Sequence, residues 1–128
     1  MAGLMHIPVI AIVEDDASVR NAMHNLVRSL GFIACMFASA EDFLQSPRLN
    51  DTACVIADVQ MPGMSGVELQ SLLLSRGRRT PIIFITAFHD DAIRARAMKA
   101  GAVCFLNKPV DGETLVECLD KALNRRLA

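Results

Sequence analysis

Short apolar runs alternate with amphipathic segments along the whole chain. Each run is rich in Val, Ile or Phe, and apolar residues recur at helical spacing in the segments between them. The pattern predicts strands at residues 8–13, 32–37, 53–57, 81–86 and 102–106, each followed by a helix. Strands with so few polar residues are typical of a parallel sheet that is covered by helices on both faces. This pattern constrains the chain to an α/β fold.

The helical segments carry start and stop signals. Ser39 and Ser65 each precede an acidic residue by three positions, which is a capping-box pattern at the start of a helix. Asp111 is expected to cap the last helix, and Gly31 and Gly101 are expected to end two others. Because crossovers between parallel strands are right-handed, these βα units favour a doubly wound, five-stranded, flavodoxin-like sheet with strand order 2-1-3-4-5.

Composition limits the number of domains and the class of partner. The chain has 128 residues, 52% of them hydrophobic and 21% charged, which suits one domain with one core. We predict a short leader at residues 1–7 and a single domain at residues 8–126. A formal net charge of -1 argues against a nucleic-acid-binding face in this stretch. No apolar run approaches the roughly 20 residues that span a bilayer, so no membrane contact is expected.

The four cysteines are scattered, without a Cys-x-x-Cys pair. Cys35, Cys54 and Cys104 lie in predicted strands, and Cys118 lies on the apolar side of the last helix. We interpret them as small buried hydrophobic side chains of a protein in a reducing compartment. The protein is therefore predicted to be cytoplasmic.

Acidic side chains collect where two predicted strands end. Glu14, Asp15 and Asp16 follow the first strand, and Asp58 ends the third strand. These strands are neighbours at the switch point of the predicted sheet, where such folds place their working sites. Several carboxylates in one small site are electrostatically costly unless a cation binds among them, and oxygen ligands suit Mg²⁺.

Two further strand ends supply complementary groups. Thr86 closes the fourth strand with a hydroxyl, and Lys108 follows the fifth strand with an ammonium group. A hydroxyl and an ammonium beside a hard cation suit a phosphoryl group. Each residue alone has an ordinary structural explanation, since acids before a helix are usually N-caps. Their joint occurrence at separate strand ends predicts a phosphoryl site.

In these residues the chain resembles the receiver domain of two-component response regulators, over nearly its whole length. The matching segments are residues 13–16, 58–66, 86–87, 99–102 and 108–109. The Met-Pro-x-Met-Ser-Gly-Val-Glu-Leu segment and residues 98–103 are most similar to receivers of the nitrogen-fixation, LuxR-type transcription regulators.

The resemblance implies a metal-dependent phosphoacceptor. Asp58 would accept a phosphoryl group from a phosphohistidine on a sensor histidine kinase. Glu14 and Asp15 match the acidic pair of the family, and together with Asp58 and the backbone carbonyl of Gln60 they would hold Mg²⁺, or Mn²⁺ in its place. Asp16 is then an additional acid, better explained as a helix cap.

The same resemblance implies a switch. Lys108 would contact the phosphoryl oxygens, and Thr86 would move to hydrogen-bond them. The ring of Phe105 would then turn inward and reshape the face made by the fourth helix, the fifth strand and the fifth helix. The alternative is that Phe105 is an ordinary core aromatic. Gln60 and Phe88 occupy positions that tune phosphoryl loss in the family, and we hypothesise slow hydrolysis because Phe88 cannot hydrogen-bond a water.

Three alternative functions would need other residues or the absence of phosphorylation. A flavodoxin-type carrier would need a phosphate cradle after the first strand and an aromatic ring to stack on the flavin, but the chain has no Trp or Tyr. A metal-dependent phosphatase would need a second acidic general acid/base and a cap domain. A pseudo-receiver binding module that is never phosphorylated is the third alternative, and the presence of Asp15, Asp58, Thr86 and Lys108 argues against it. We expect self-phosphorylation chemistry rather than a turnover enzyme.

The output of such a receiver is left open by the sequence. The chain would be either a single-domain regulator that acts by protein contact or a fragment whose output domain lies beyond residue 128. The resemblance favours a fragment, with DNA bound only through that helix-turn-helix output domain. A homodimer on phosphorylation is implied by the family.

Overall fold

The computed structural model describes residues 6–127, with side chains described for residues 6–124. Residues 1–5 of the predicted leader lie outside the described residues. The strands are β1 Val9–Val13, β2 Ile33–Phe37, β3 Thr52–Asp58, β4 Ile82–Thr86 and β5 Cys104–Asn107. The helices are α1 Ala17–Ser29, α2 Ala40–Leu44, α3 Gly66–Ser75, α4 Asp91–Lys99 and α5 Gly112–Leu127, with a short 3₁₀ helix at Leu49–Asp51.

The five strands form one parallel sheet in the order β2-β1-β3-β4-β5. The predicted topology is therefore confirmed. Helices α2, α3 and α4 pack on one face of the sheet, and α1 and α5 pack on the other, so each face has its own hydrophobic cluster. This arrangement places the carboxyl ends of the adjacent strands β1 and β3 side by side at the carboxyl-terminal end of the sheet.

Burial differs between the central and the outer strands. Every residue of β1, β3 and β4 is buried, as the apolar runs predict. The edge strands β2 and β5 are only partly buried, because each has a neighbouring strand on one side only. The side chains at the ends of β1 and β3 are therefore held by a rigid, densely packed scaffold.

The predicted helix caps are present. The side chain of Asp16 accepts hydrogen bonds from the backbone N–H groups of Ser18 and Val19 at the start of α1. Ser65 and Glu68 form a complete capping box at the start of α3. Such caps satisfy backbone donors that have no partner within the helix, so they fix where each helix begins.

The fifth strand begins two residues later than predicted, at Cys104. The backbone N–H of Ala102 donates to the carbonyl of Ala97, which closes the last turn of α4 and removes Ala102 from the sheet. Gly101 precedes it with a φ of 107°, a conformation that favours glycine. The start of β5 is thus displaced by the closing turn of the preceding helix.

The interpretation of the cysteines is wrong for two of them. Cys104 of β5 and Cys118 of α5 form a disulfide, with their Cα atoms 6.2 Å apart. The interpretation failed because packing of α5 on the sheet brings together residues that are 14 positions apart in sequence. Cys54 is buried as expected, whereas Cys35 is only partly buried.

Among the residues that the structure describes, no helix is both long enough and apolar enough to cross a bilayer.

Candidate functional site

The carboxylates of Glu14, Asp15 and Asp58 converge at the carboxyl ends of β1 and β3. One oxygen from each of the three lies within 4.8 Å of the others. Glu14 is fully buried and Asp58 is 7% exposed, whereas Asp15 is exposed to solvent. The structure therefore brings together the acids that the sequence placed at the ends of two strands, and one of the three, Asp15, is open to solvent.

Lys108 is the counterion of this cluster. Its ammonium nitrogen lies 2.6 Å from Oε1 of Glu14 and 3.3 Å from Oδ2 of Asp58. The backbone N–H of Lys108 donates to the carbonyl of Thr86, which holds the β5–α5 loop against the end of β4. The Lys108–Pro109 peptide bond is cis. The cluster has three carboxylates, and Lys108 contacts two of them with a single positive charge, so the site keeps an excess of negative charge.

The pKa values of the paired groups reflect burial and this excess of negative charge. Burial raises the pKa of Glu14, and the carboxylate of Asp58 adds to the rise, although hydrogen bonds from Lys108 and the backbone of Asp16 oppose it. Burial lowers the pKa of Lys108, but its contacts with Glu14 and Asp58 outweigh burial and raise it overall. Both groups therefore retain protons more strongly than they would in water, as expected of a site that attracts cations.

Asp16 lies beside the cluster without joining it, because its side chain caps α1. Its backbone N–H donates to Oε2 of Glu14 at 3.0 Å. The guanidinium of Arg20 donates to the backbone carbonyls of Glu14 and Asp15, at 2.8 and 3.3 Å. Arg20 thus holds the acidic loop in place, and no sequence pattern singled it out.

The loop after Asp58 is held at both ends. The backbone N–H of Gln60 lies 3.4 Å from Oδ1 of Asp58, and the N–H of Gly66 donates to the carbonyl of Val59 at 2.9 Å. A Cβ atom on Gly66 would overlap the backbone oxygen of Asp58. The start of α3 therefore packs directly on the backbone of Asp58, and only glycine fits there.

Glu41 of α2 anchors the middle of the same loop. Its Oε2 accepts a hydrogen bond from the backbone N–H of Met64 at 3.0 Å. Gly63, with a φ of 75°, lies so close that a Cβ atom there would be 2.7 Å from the same oxygen. Sequence reasoning missed Glu41, because the two partners are 23 residues apart and no spacing rule connects them.

Thr86 is buried at the end of β4, and its hydroxyl is held by its own loop. It donates to the carbonyl of Phe88 at 2.9 Å and accepts from the N–H of Phe88 at 3.0 Å. Phe88 itself is 67% exposed. Phe105 is half-buried, and its ring centroid lies 6.1 Å from that of the fully buried Phe84. Phe105 thus packs against the hydrophobic cluster on the α4 side of the sheet while staying partly exposed.

The comparison with protein families decides the classification. The family model of the response regulator receiver domain matches residues 10–120. The chain belongs to the response regulator receiver domain family. The predicted resemblance is thereby confirmed, and the chain is a receiver domain of two-component signalling.

Curated relatives of this receiver domain are transcriptional response regulators and related proteins. It is 41% identical over 117 residues to nodulation protein W of Bradyrhizobium diazoefficiens, covering 91% of this chain and 52% of that protein. It is 41% identical over 125 residues to the response regulator protein TodT of Pseudomonas putida, covering 94% of this chain and 55% of that protein. The chain thus spans about half the length of the curated relatives it matches.

Solved receiver structures agree with this fold. The response regulator StyR superimposes with a TM-score of 0.85 at 42% identity, covering 93% of this chain and 60% of that one. The structure named FixJ-N superimposes with a TM-score of 0.83 at 34% identity, covering 94% of this chain and 96% of that one. The doubly wound receiver fold is therefore shown both by the sheet order and by its solved relatives.

Proposed function

We propose that Asp58 accepts a phosphoryl group from a phosphohistidine of a sensor kinase, and that this modification controls transcription through an output domain outside this chain. One observation carries the proposal: Asp58 ends a buried strand in a small site that it shares with two other carboxylates and Lys108. Relatives described as a response regulator and as a transcriptional regulatory protein support the output.

The donor set fits a hard divalent cation. All three side chains offer carboxylate oxygens, and Lys108 neutralises only part of their charge. Glu14, Asp15 and Asp58 would hold Mg²⁺, or Mn²⁺, together with the backbone carbonyl of Gln60. When bound, the ion would supply charge neutralisation for a phosphoryl group that approaches these acids.

The transfer itself needs little covalent help from other residues. A carboxylate oxygen of Asp58 attacks phosphorus, the bond from phosphorus to the kinase histidine nitrogen breaks, and that nitrogen keeps the electron pair. The reaction brings two negatively charged groups together, so positioning and charge neutralisation dominate its barrier. The ammonium of Lys108, 3.3 Å from Oδ2 of Asp58, is placed to contact the phosphoryl oxygens. The product is an acyl phosphate, which is labile and makes the modification reversible.

The new dianion on Asp58 would then bias a two-state element. The hydroxyl of Thr86, now bonded within its own loop, would turn to a phosphoryl oxygen. The half-buried ring of Phe105 would move inward into the volume next to Thr86. This change would reshape the face made by α4, β5 and α5, through which a homodimer or an output domain would respond.

The partner is a sensor histidine kinase in the cytoplasm, and DNA is contacted only through the output domain. The domain promotes its own phosphorylation and dephosphorylation and does not turn over free substrates.

The test is incubation of the chain with acetyl phosphate and Mg²⁺, followed by intact-protein mass spectrometry. We expect a gain of one phosphoryl group that is removed by hydroxylamine, as an acyl phosphate requires. Asp58→Asn should abolish the gain, and omission of Mg²⁺ should suppress it. Asp120→Asn, which changes an exposed acid of α5, is the matched control and should be phosphorylated normally.

Two outcomes would contradict the proposal. If no phosphoryl group is gained with acetyl phosphate or with a cognate kinase, the chain is a pseudo-receiver that acts as a binding module. If phosphate is released steadily from small phosphate esters without a stable phosphoprotein, the same acids serve a phosphatase instead.

A further inference from the structure

Cys104 and Cys118 form a disulfide that the phosphorylation chemistry does not use. Cys104 lies in the edge strand β5 and is partly exposed, whereas Cys118 lies on the buried side of α5 with 3% exposure. Their Cα atoms are 6.2 Å apart, within the range in which two cysteines can bond without backbone movement. The fold therefore holds the two cysteines close enough to bond, with Cys104 partly exposed and Cys118 buried.

The crosslink encloses the segment that carries Lys108. Residues 104–118 include the whole of β5, the loop with Lys108 and the first turns of α5. Successive side chains of a strand point to opposite faces, so Cys104 faces α5 while Phe105 faces the ring of Phe84. A bond between Cys104 and Cys118 thus fixes β5 to α5 from the side opposite Phe105.

We propose that Cys104 and Cys118 are a reversible thiol-oxidation site, with hydrogen peroxide as the class of oxidant, and that oxidation ties β5 to α5. The partly exposed Cys104 reacts first, because a small oxidant reaches it from solvent. Its thiolate attacks one peroxide oxygen, the O–O bond breaks, and hydroxide leaves and is protonated to water. Cys104 then carries a sulfenic acid.

The second step is internal. The sulfur of Cys118 attacks the sulfur of Cys104, the S–O bond breaks, and the hydroxyl leaves as water. Overall two thiols and one peroxide give one disulfide and two waters, so two electrons pass from sulfur to oxygen. A cellular dithiol or glutathione reverses the reaction by thiol–disulfide exchange, again starting at the partly exposed Cys104.

The experiment combines alkylation with mass spectrometry on the full chain. Protein purified with reductant is treated with hydrogen peroxide, denatured, alkylated with N-ethylmaleimide and digested without reduction. Glu113 and Glu117 lie between the two cysteines, so a glutamate-specific protease separates them unless they are crosslinked. We expect a crosslinked peptide pair that has lost two hydrogens, and restoration of both alkylated thiols by millimolar glutathione.

The variants separate this pair from the other cysteines. Cys118→Ala keeps an apolar side chain at a buried position, Cys104→Ser changes the partly exposed partner, and both should lose the crosslink. Cys35→Ser, on the opposite edge strand, is the matched control and should keep it. Asp58→Asn should also keep it, so a failure of the phosphorylation proposal does not affect this test.

Amide hydrogen exchange tests the constraint on β5 and α5. Exchange within residues 105–117 should be at least about twofold slower in the oxidised chain, and unchanged by peroxide in Cys118→Ala. The proposal is overturned if both thiols still alkylate after peroxide, if the disulfide survives glutathione, or if exchange in this segment is the same in both states.

Discussion

The ammonium nitrogen of Lys108 lies 2.6 Å from Oε1 of Glu14, a carboxylate with no solvent exposure. Glu14 follows β1 and Lys108 follows β5, so the contact passes over the ends of the two strands that lie between them, β3 and β4. The same ammonium nitrogen also lies 3.3 Å from Oδ2 of Asp58. One ammonium therefore contacts both buried acids and offsets part of their negative charge.

Removal of this counterion should destabilise the metal-free protein. Lys108→Ala leaves Glu14 and Asp58 facing each other without compensation, and we expect a loss of about 2 kcal/mol in the free energy of unfolding. Added Mg²⁺ should recover more stability in the variant than in the parent chain, because it can neutralise the same acids. Urea unfolding in EDTA and in Mg²⁺ measures both effects.

The control for Lys108→Ala is Lys121→Ala, which removes an exposed lysine of α5 and should change the unfolding free energy by less than about 0.5 kcal/mol. Equal stability of Lys108→Ala and the parent chain in EDTA would show that the ion pair contributes nothing to the fold.

The raised pKa of Glu14 predicts a pH dependence of the metal-free protein and of metal binding. Burial raises the pKa of Glu14 above its ordinary value of 4.5, so the folded chain binds this proton more tightly than the unfolded chain does. The stabilising contribution is complete below pH 4.5 and is lost as the pH rises through the folded pKa. Because a metal needs the carboxylate, apparent Mg²⁺ affinity should fall as the pH drops through the same range.

Titration calorimetry at a series of pH values, in buffers of different ionisation enthalpy, measures the protons released on Mg²⁺ binding. Glu14→Gln cannot titrate, so its Mg²⁺ affinity should be weaker at neutral pH and should vary less between neutral and mildly acidic pH. An equally steep pH dependence in this variant would assign the proton to another group.

Local sequence rules predicted the parts of the site that depend on neighbouring residues. Asp16 caps α1 and Ser65 caps α3, because each bonds to backbone groups within three positions of itself. The order of the strands followed from the apolar runs and from the handedness of crossovers. Convergence of Glu14 and Asp58 followed from that order, since parallel neighbours end at the same edge.

Contacts between distant residues could not be predicted in this way. The hydrogen bond from Met64 to Glu41 and the bond between Cys104 and Cys118 depend on how a helix is rotated against its neighbours. Even when the apolar face of a helix is predicted correctly, a small rotation about the helix axis moves a given side chain by several ångströms. This rotation is set by how the helix packs against the sheet and its neighbouring helices, and it cannot be predicted from the spacing of residues within the helix.

Gly66 is predicted to be intolerant of any side chain. Gly66→Ala would press a methyl group into the backbone oxygen of Asp58 and against the ring of Phe84, neither of which can move without disturbing the core. We expect a loss of about 3 kcal/mol or more in the free energy of unfolding, measured by urea denaturation. The start of α3 would have to shift away from Asp58.

Gly112→Ala is the matched control in the first turn of α5. A Cβ atom there would meet a methyl group of Leu26 at 3.6 Å, an ordinary contact, and alanine favours a helix more than glycine does. Its stability should be unchanged or higher by about 0.5–1 kcal/mol. If the two substitutions had equal effects, close packing of α3 on Asp58 would not be the cause.

Glu41 is predicted to position the loop between Asp58 and α3. Glu41→Ala removes the acceptor for the N–H of Met64, and we expect faster amide exchange at Met64 and a Mg²⁺ affinity weaker by roughly threefold to tenfold. Glu41→Gln keeps an acceptor oxygen, so its amide exchange rate at Met64 and its Mg²⁺ affinity should be closer to those of the parent chain. Titration calorimetry and hydrogen exchange measure the two effects.

Asp42→Ala controls for the charge that Glu41→Ala removes from the first turn of α2, because both acids are exposed and favour the same helix terminus. If both variants lost Mg²⁺ affinity equally, the effect would be electrostatic rather than positional.

Phe88 is predicted to prolong the life of the phosphorylated state. Phe88 is 67% exposed and lies two residues after Thr86, and its side chain has no polar group that could orient an attacking water. Phe88→Glu supplies a carboxylate at this position, and the acyl phosphate should hydrolyse about tenfold faster. Phe88→Leu preserves an apolar side chain and should leave the lifetime within about twofold of the parent. The decay of the phosphorylated species by mass spectrometry gives both lifetimes, and a Glu variant that decays no faster than the Leu variant would assign slow hydrolysis to another residue.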